Sequence, residues 1–402
     1  DKGLDLLLIH IGSWGHDRGR PKEERIGQLL VRDVTYYGRM SFYDILIEEK
    51  PYAVLFLSTT AFAHQAFNRY CMRLGIPTVH LYHGLVRVQP VDLSAGDVYK
   101  INLWRQAKII ISRLGKQVRW IWPAYARALL KTRAGLHDWL RFGSHVIAQG
   151  MGRSYWGVAA PDSTTTACCV YTEADISHAV ERYRMPKDMV FAVGNPDLIK
   201  FGLREEDMGL CLSRDGLSNE IVYIDTALIE AGAVFRDGED FAEHLEETKD
   251  ALRQEGLKLV VKLHPAHFRT GVPKRLRQRG VEICDPEDFV DRLKDSRAAI
   301  VEPSSAALIP ALLGLPVLLA QYGKLSSQQY GQVLTSYPRA RFLRSLEEVS
   351  TLLEDVKGTT SKEAALSWIK TNAGPLPAED MPKRVAEVIL MIIKHRGTSL
   401  GY

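Results

Sequence analysis

The residues best suited to chemistry in this sequence stand where apolar runs stop. The run at 257–263 ends in His264-Pro265, with Lys262 just before it. An imidazole at a strand end can donate a hydrogen bond to a phosphate oxygen, and a proline fixes the turn that aims it. A lone His-Pro could equally be a surface-loop feature. The run at 297–303 ends in Glu302-Pro303, and Ser304-Ser305 follow, which places two hydroxyls at the start of a predicted helix. Helix N-termini present unpaired N–H groups and a positive dipole end, so they attract anions. A histidine from one loop and a Ser-Ser pair from its neighbour could hold two sides of one phosphate. Asp225 lies in or just past a third run, at 220–228. A carboxylate there could be a general base or a nucleophile, or simply a turn-forming or helix-capping residue. Glu230 is a weaker rival for the same role.

Elements that position these residues alternate along the chain. Strand-type runs are predicted at 4–12, 50–59, 75–84, 166–175 and 189–197, with helices at 66–74 and 176–185. The 4–12 run, apolar and closed by glycine, has the pattern of a buried parallel strand. A polar, turn-rich stretch at 200–219 predicts a linker. The pattern then restarts, with strands at 220–228, 257–265, 297–303 and 315–323 and helices at 241–256, 285–296 and 304–314. A last helix is predicted at 382–395. Such alternation implies right-handed βαβ units on parallel sheets, an α/β fold. In open sheets of this kind ligands sit at the carboxyl ends of the strands. Asp225, His264, Glu302 and His83 all fall at predicted strand ends.

Composition sets outer bounds. The 402 residues are 46% hydrophobic and 25% charged, an ordinary globular mixture, and a net charge of +4 does not announce a nucleic-acid binder. Five cysteines without a C-x-x-C pair suggest reduced thiols. The longest apolar run, 306–320, is short and broken by prolines, so no membrane span is predicted. No Asp-x-Asp motif is present, so no catalytic divalent metal is expected; no cofactor is expected either. Residues 100–141 stand apart, with ten Lys or Arg, one acid (Asp138), and Trp104, Trp120, Trp122 and Trp139. Basic side chains interleaved with tryptophan suit an anionic membrane surface. The same composition occurs in nucleic-acid binders, a partner not expected here, and in solvated helices whose tryptophans are core.

"KLHP" at 262–265 together with "EPSSAALIPALLGLPVLL" at 302–319 resembles the HP and serine motifs of a group of bacterial GT-B glycosyltransferases. The group includes CMP-sialic acid sialyl- and polysialyltransferases, CMP-Kdo transferases of capsule and O-antigen assembly, and CDP-glycerol glycerophosphotransferases. "VFAVGNPD" at 190–197 and "YHG" at 82–84 fit the N-terminal half of such enzymes more loosely. The resemblance implies a GT-B type fold, two Rossmann-like domains facing a cleft. The divisions expected are an acceptor-side domain at 1–199 with a basic insertion near 100–150, a linker at 200–219, and a nucleotide-sugar domain at 220–376. A helix at 377–402 would pack back on the first domain. It further implies that His264, with Pro265 and Lys262, meets the donor phosphate, and that Ser304 and Ser305 meet the phosphate or a sugar carboxylate. Glu302 would reach the ribose hydroxyls, and Asp225 would serve the chemistry while leaving CMP binding to others. His83 could position or deprotonate an acceptor hydroxyl, with His16 and His64 as further cleft candidates.

The function implied is transfer of an acidic ulosonic sugar, Kdo before sialic acid, from a CMP-sugar to a bacterial surface glycan such as O-antigen, capsule or a lipid-linked acceptor. The setting implied is cytoplasmic, peripheral to the inner membrane. Three other classes share these features: a CDP-polyol phosphotransferase of the teichoic acid type, a UDP-sugar epimerase, and a non-catalytic anion-binding scaffold at the membrane.

Overall fold

The computed structural model describes residues 4–11, 21–38, 41–59, 61–82, 115, 117–150, 164–213, 218–229 and 234–399. Three strands come first: β1 (Leu7–His10), β2 (Glu23–Ile26) and β3 (Leu29–Asp33). β1 runs parallel to β3, and β2 runs antiparallel to it. The strand expected to be buried at 4–12 is therefore parallel but covered on one face only, with Leu6 57% and Leu8 43% exposed. The β2–β3 hairpin escapes sequence reading because β2 is exposed along its whole length and carries no apolar alternation.

A four-stranded parallel sheet follows in sequence order: β4 (Val54–Phe56), β5 (Thr78–Leu81), β6 (Ala167–Val170) and β7 (Val190–Ala192). The helix Phe62–Leu74 connects β4 to β5. It buries Phe62, Ala66, Phe67 and Tyr70, and stops where Gly75 takes the left-handed conformation.

The C-terminal half is built on six parallel strands: β8 (Glu220–Ile224), β9 (Lys258–Lys262), β10 (Glu282–Ile283), β11 (Ala298–Val301), β12 (Val317–Ala320) and β13 (Ala340–Leu343). Their order is β10-β9-β8-β11-β12-β13. Counted from β8 this is the doubly wound dinucleotide-binding order, and the chain reverses its winding between β8 and β11. Side chains alternate faces along each strand. Val222, Ile224, Val260 and Val301 join one apolar cluster, while Ile221, Tyr223, Val261 and Ile300 join the other. The helix Gly238–Gln254 covers the second face with Phe241, Leu245 and Leu252, and the helix Leu308–Leu313 covers the first. Burial on both faces is why these strands read as continuous apolar runs.

The stretch at 200–219 is closely packed where it is described. It forms turns at Glu205–Asp207 and Leu210–Ser213, and the Gly209 N–H donates to Leu312 O at 2.8 Å. The last helix, Met381–Ser399, adds Met381, Val385, Val388 and Ile392 to the cluster that holds Val79, Ala167 and Val193 of the four-stranded sheet. Its Arg384 donates to Val193 O at 2.9 Å and to Pro375 O at 3.1 Å. Two α/β units on parallel sheets, with the final helix lying against the first, make a GT-B type architecture. All five cysteines are buried and none forms a disulfide. Among the described residues no helix is long and apolar enough to cross a membrane.

Gly374 lies tightly against Tyr171, which follows β6. It has φ +85, and a Cβ there would lie 2.6 Å from Tyr171 O. Gly374→Ala is predicted to destabilise by roughly 2–4 kcal/mol, from left-handed strain plus overpacking. A urea midpoint that does not move would mean that the Gly374–Tyr171 contact is absent in solution.

Candidate functional site

Asp225 directly follows β8 and is 1% exposed. Its Oδ2 accepts from the backbone N–H of His264 at 2.8 Å, and its Oδ1 accepts from the backbone N–H of Ala227 at 2.7 Å. Its own N–H donates to Lys262 O at 3.1 Å, so the β8–β9 ladder runs to its last residue. His267 is fully buried, with Nε2 3.2 Å from the same Oδ2 but out of line for a hydrogen bond, and its ring stacks on Phe241. One carboxylate thus braces the His-Pro turn at its start and faces the histidine inside it. Ala227 sits at φ +61, where a Cβ costs roughly 1–2 kcal/mol, and the bond from Asp225 offsets that strain.

Pro265 opens a tight helical turn, Pro265–Arg269, and His264 caps it. The cap is His264 Nδ1, which accepts from the Ala266 N–H at 3.2 Å. A neutral ring that accepts at Nδ1 carries its proton on Nε2, so Nε2–H is the donor it can offer a ligand. Partial burial keeps the ring below the ordinary histidine range and so favours that neutral form. Lys262, 6% exposed, holds its ammonium over the rings of Phe201 and Phe289, each at 5.6 Å. Burial lowers its pKa, and the Asp225 carboxylate opposes that shift.

Glu302 follows β11, beside β8, and has no exposed surface. Its Oε1 accepts from Tyr223 Oη–H at 2.7 Å, and its Oε2 accepts from the N–H and hydroxyl of Thr226, both at 2.9 Å. Burial, and next the Asp225 charge, push its pKa up to about 8. A ribose contact would require this side chain to leave Tyr223 and Thr226. Ser304 and Ser305 are half-buried, and Ser304 Oγ accepts from the Ala306 N–H at 3.2 Å. The helix expected at 304–314 is split into a 3₁₀ turn, Ser305–Ala307, and the helix Leu308–Leu313. Pro310 has no N–H to return to Ala306 O, so the first turn closes more tightly.

Asp225, His264, Lys262, Glu302 and the two serines therefore gather at the ends of three adjacent strands, β9, β8 and β11. His64 lies elsewhere, in the first turn of the helix after β4, edge-on to Phe56. His16, His83 and Glu230 fall outside the described residues. Tyr223 and Thr226 belong to the cluster without standing out in the sequence, and His267, the second histidine of the His-Pro-Ala-His stretch, joins it. The available signals are a tyrosine in a buried strand, whose hydroxyl needs a partner, and a second histidine three places after the first.

No protein-family model and no curated protein matches this chain. Among solved structures, the wall teichoic acid polymerase TagF overlaps it at 10% identity, over 80% of this chain and 69% of that one, with a TM-score of 0.42. A UDP-GlcNAc 2-epimerase from Neisseria meningitidis bound to UDP-GlcNAc overlaps at 15% identity, over 87% and 78%, with a TM-score of 0.38. The Methanocaldococcus jannaschii UDP-GlcNAc 2-epimerase, in complex with UDP-GlcNAc and UDP, overlaps at 11% identity, over 82% and 77%, with a TM-score of 0.38. Overlaps this distant carry no information on activity.

Asp225→Asn turns an –NH₂ toward the N–H of His264 or of Ala227. It is predicted to loosen the turn and destabilise the fold by roughly 1–3 kcal/mol. Denaturant midpoints of the wild type and the variant check this. An unmoved midpoint would mean that Asp225 does not brace the turn.

Glu302 binds its proton more tightly in the folded chain than its ordinary value of 4.5 allows. The resulting stabilisation is full below 4.5 and is lost as pH rises through about 8. Glu302→Gln cannot titrate, so wild-type stability should fall more steeply than the variant's across that interval. Denaturant midpoints at its two ends decide the matter, and parallel curves would mean that Glu302 is ionised throughout.

Proposed function

We propose that the chain is a glycosyltransferase that takes an acidic ulosonic sugar, Kdo before sialic acid, from a CMP-sugar and adds it to a bacterial surface glycan. One observation carries this reading. Beside the point where the winding of the C-terminal sheet reverses, a buried carboxylate fixes a His-Pro turn whose histidine keeps Nε2–H as its donor, and two serine hydroxyls follow β11, on the other side of β8. A CMP-ulosonic donor presents one phosphate and one carboxylate. His264 would donate to the phosphate, and Ser304 and Ser305 would donate to the phosphate or the carboxylate. Lys262 supplies positive charge behind them. Asp225 positions the turn, and Glu302 braces Thr226 and Tyr223 beneath it. The choice of Kdo rests on the motif resemblance. The group that deprotonates the acceptor is to be sought at His83, Glu230 or His64.

A thermal-shift series with CMP, CDP, UDP and GDP tests the donor class, since a ligand at about 100 times its Kd adds about 2.7 kcal/mol. Stabilisation by CMP or CMP-Kdo supports the proposal. A response to CDP alone would favour polyol-phosphate transfer, and a response to UDP alone would overturn the CMP assignment. His264→Ala should remain folded and lose roughly 1.5–3 kcal/mol of donor or transition-state binding. Unchanged transfer kinetics in that variant would remove His264 from the site.

A further inference from the structure

The helices Trp122–Lys131 and Leu136–Gly150 form a hairpin on the N-terminal half. Their inner faces are settled: Tyr125, Ala128 and Leu129 are buried, and Trp122, Trp139 and Phe142 pack on the same cluster. Two of the tryptophans expected at a membrane are therefore core residues. The outer face is apolar for a different reason. Leu136, Leu140 and Ile147 are 76%, 65% and 63% exposed and recur at helical spacing on one stripe, and Leu130 at the end of the preceding helix is 67% exposed.

Charge says what this face meets. Between 117 and 147 there are five Lys or Arg and one acid, Asp138. Asp138 is turned inward, 3.1 Å from Arg69 Nη2 and 3.7 Å from Arg141 Nη2. Arg127, Lys131 and Arg133 are exposed around the turn that joins the two helices. A second copy of the chain would bring cations against cations. A nucleic acid would set its phosphates against exposed leucines. An anionic bilayer satisfies both features, with acyl chains under the leucines and headgroups around the cations.

We propose that this hairpin docks the protein on anionic lipid, through the stripe Leu136, Leu140 and Ile147 with Arg127 and Arg133 as headgroup contacts. The inference does not rest on the sugar-transfer reading, and its test needs no substrate. The full chain is sedimented with vesicles of phosphatidylcholine alone or phosphatidylcholine containing phosphatidylglycerol. Binding is expected to the anionic vesicles and not to the neutral ones, and to weaken in high salt. Leu136→Ser combined with Leu140→Ser changes only exposed positions and should lower the partition coefficient roughly tenfold or more. Arg127→Glu combined with Arg133→Glu should lower it by roughly fivefold or more for each charge. Circular dichroism confirms that the variants fold. Equal binding to both vesicle types, no binding to either, or no effect of either pair overturns the proposal. A lipid-independent dimer that the serine pair dissolves would assign the face to a second copy.

Discussion

The Asp225 carboxylate is the interaction on which the site depends. Burying a carboxylate costs several kcal/mol unless hydrogen bonds satisfy it, so its partners are held to their places as firmly as it is. Two of those partners are backbone N–H groups, of Ala227 in the loop after β8 and of His264 after β9. The geometry of the His-Pro turn is thereby set by main-chain atoms before any ligand arrives. His264 then uses Nδ1 to close its own turn, and this fixes which nitrogen is left to donate. The same cluster extends sideways through Thr226, whose N–H and hydroxyl both donate to Glu302 after β11. Three strand ends are locked into one unit. Two carboxylates this close in the interior cannot both ionise cheaply, and Glu302 is the one pushed toward its neutral form.

This arrangement resolves a tension in the chemistry assigned to Asp225. A nucleophile or base must reach substrate, whereas Asp225 is 1% exposed and both of its oxygens are already in use. The groups that can still be offered outward are the His264 Nε2–H and the serine hydroxyls, all donors. A cluster that offers donors and keeps its acceptors inside is suited to an anion. It is not placed to abstract a proton, so in the proposed sugar transfer the base would come from elsewhere in the chain.

Much of the C-terminal half was legible in the sequence because its strands are buried on both faces and its helices obey the helical period. The runs ending at Asp225, His264 and Glu302 are strands, and their ends are neighbours in the sheet. What could not be read was direction. Sequence spacing places Glu302 at a strand end, but not that its side chain turns inward to Tyr223. The N-terminal half was harder for a different reason. Its first strand is half exposed, and its β2–β3 hairpin is polar, so neither gives a clean period. In the basic segment, composition pointed to the tryptophans; Trp122 and Trp139 pack inward, Trp120 is exposed, Trp104 lies outside the described residues, and the exposed stripe also carries Leu136 and Leu140, whose spacing held the further signal.

The most direct test of the account is the tautomer of His264, read by nitrogen-15 chemical shifts of the labelled full-length protein, assigned through a His264→Gln spectrum. The account predicts a neutral ring protonated at Nε2, with Nδ1 a hydrogen-bonded acceptor, and a shift of the Nε2 resonance when CMP is added. A ring protonated at Nδ1, or one indifferent to CMP, would contradict the claim that a carboxylate-braced turn presents this histidine to a phosphate.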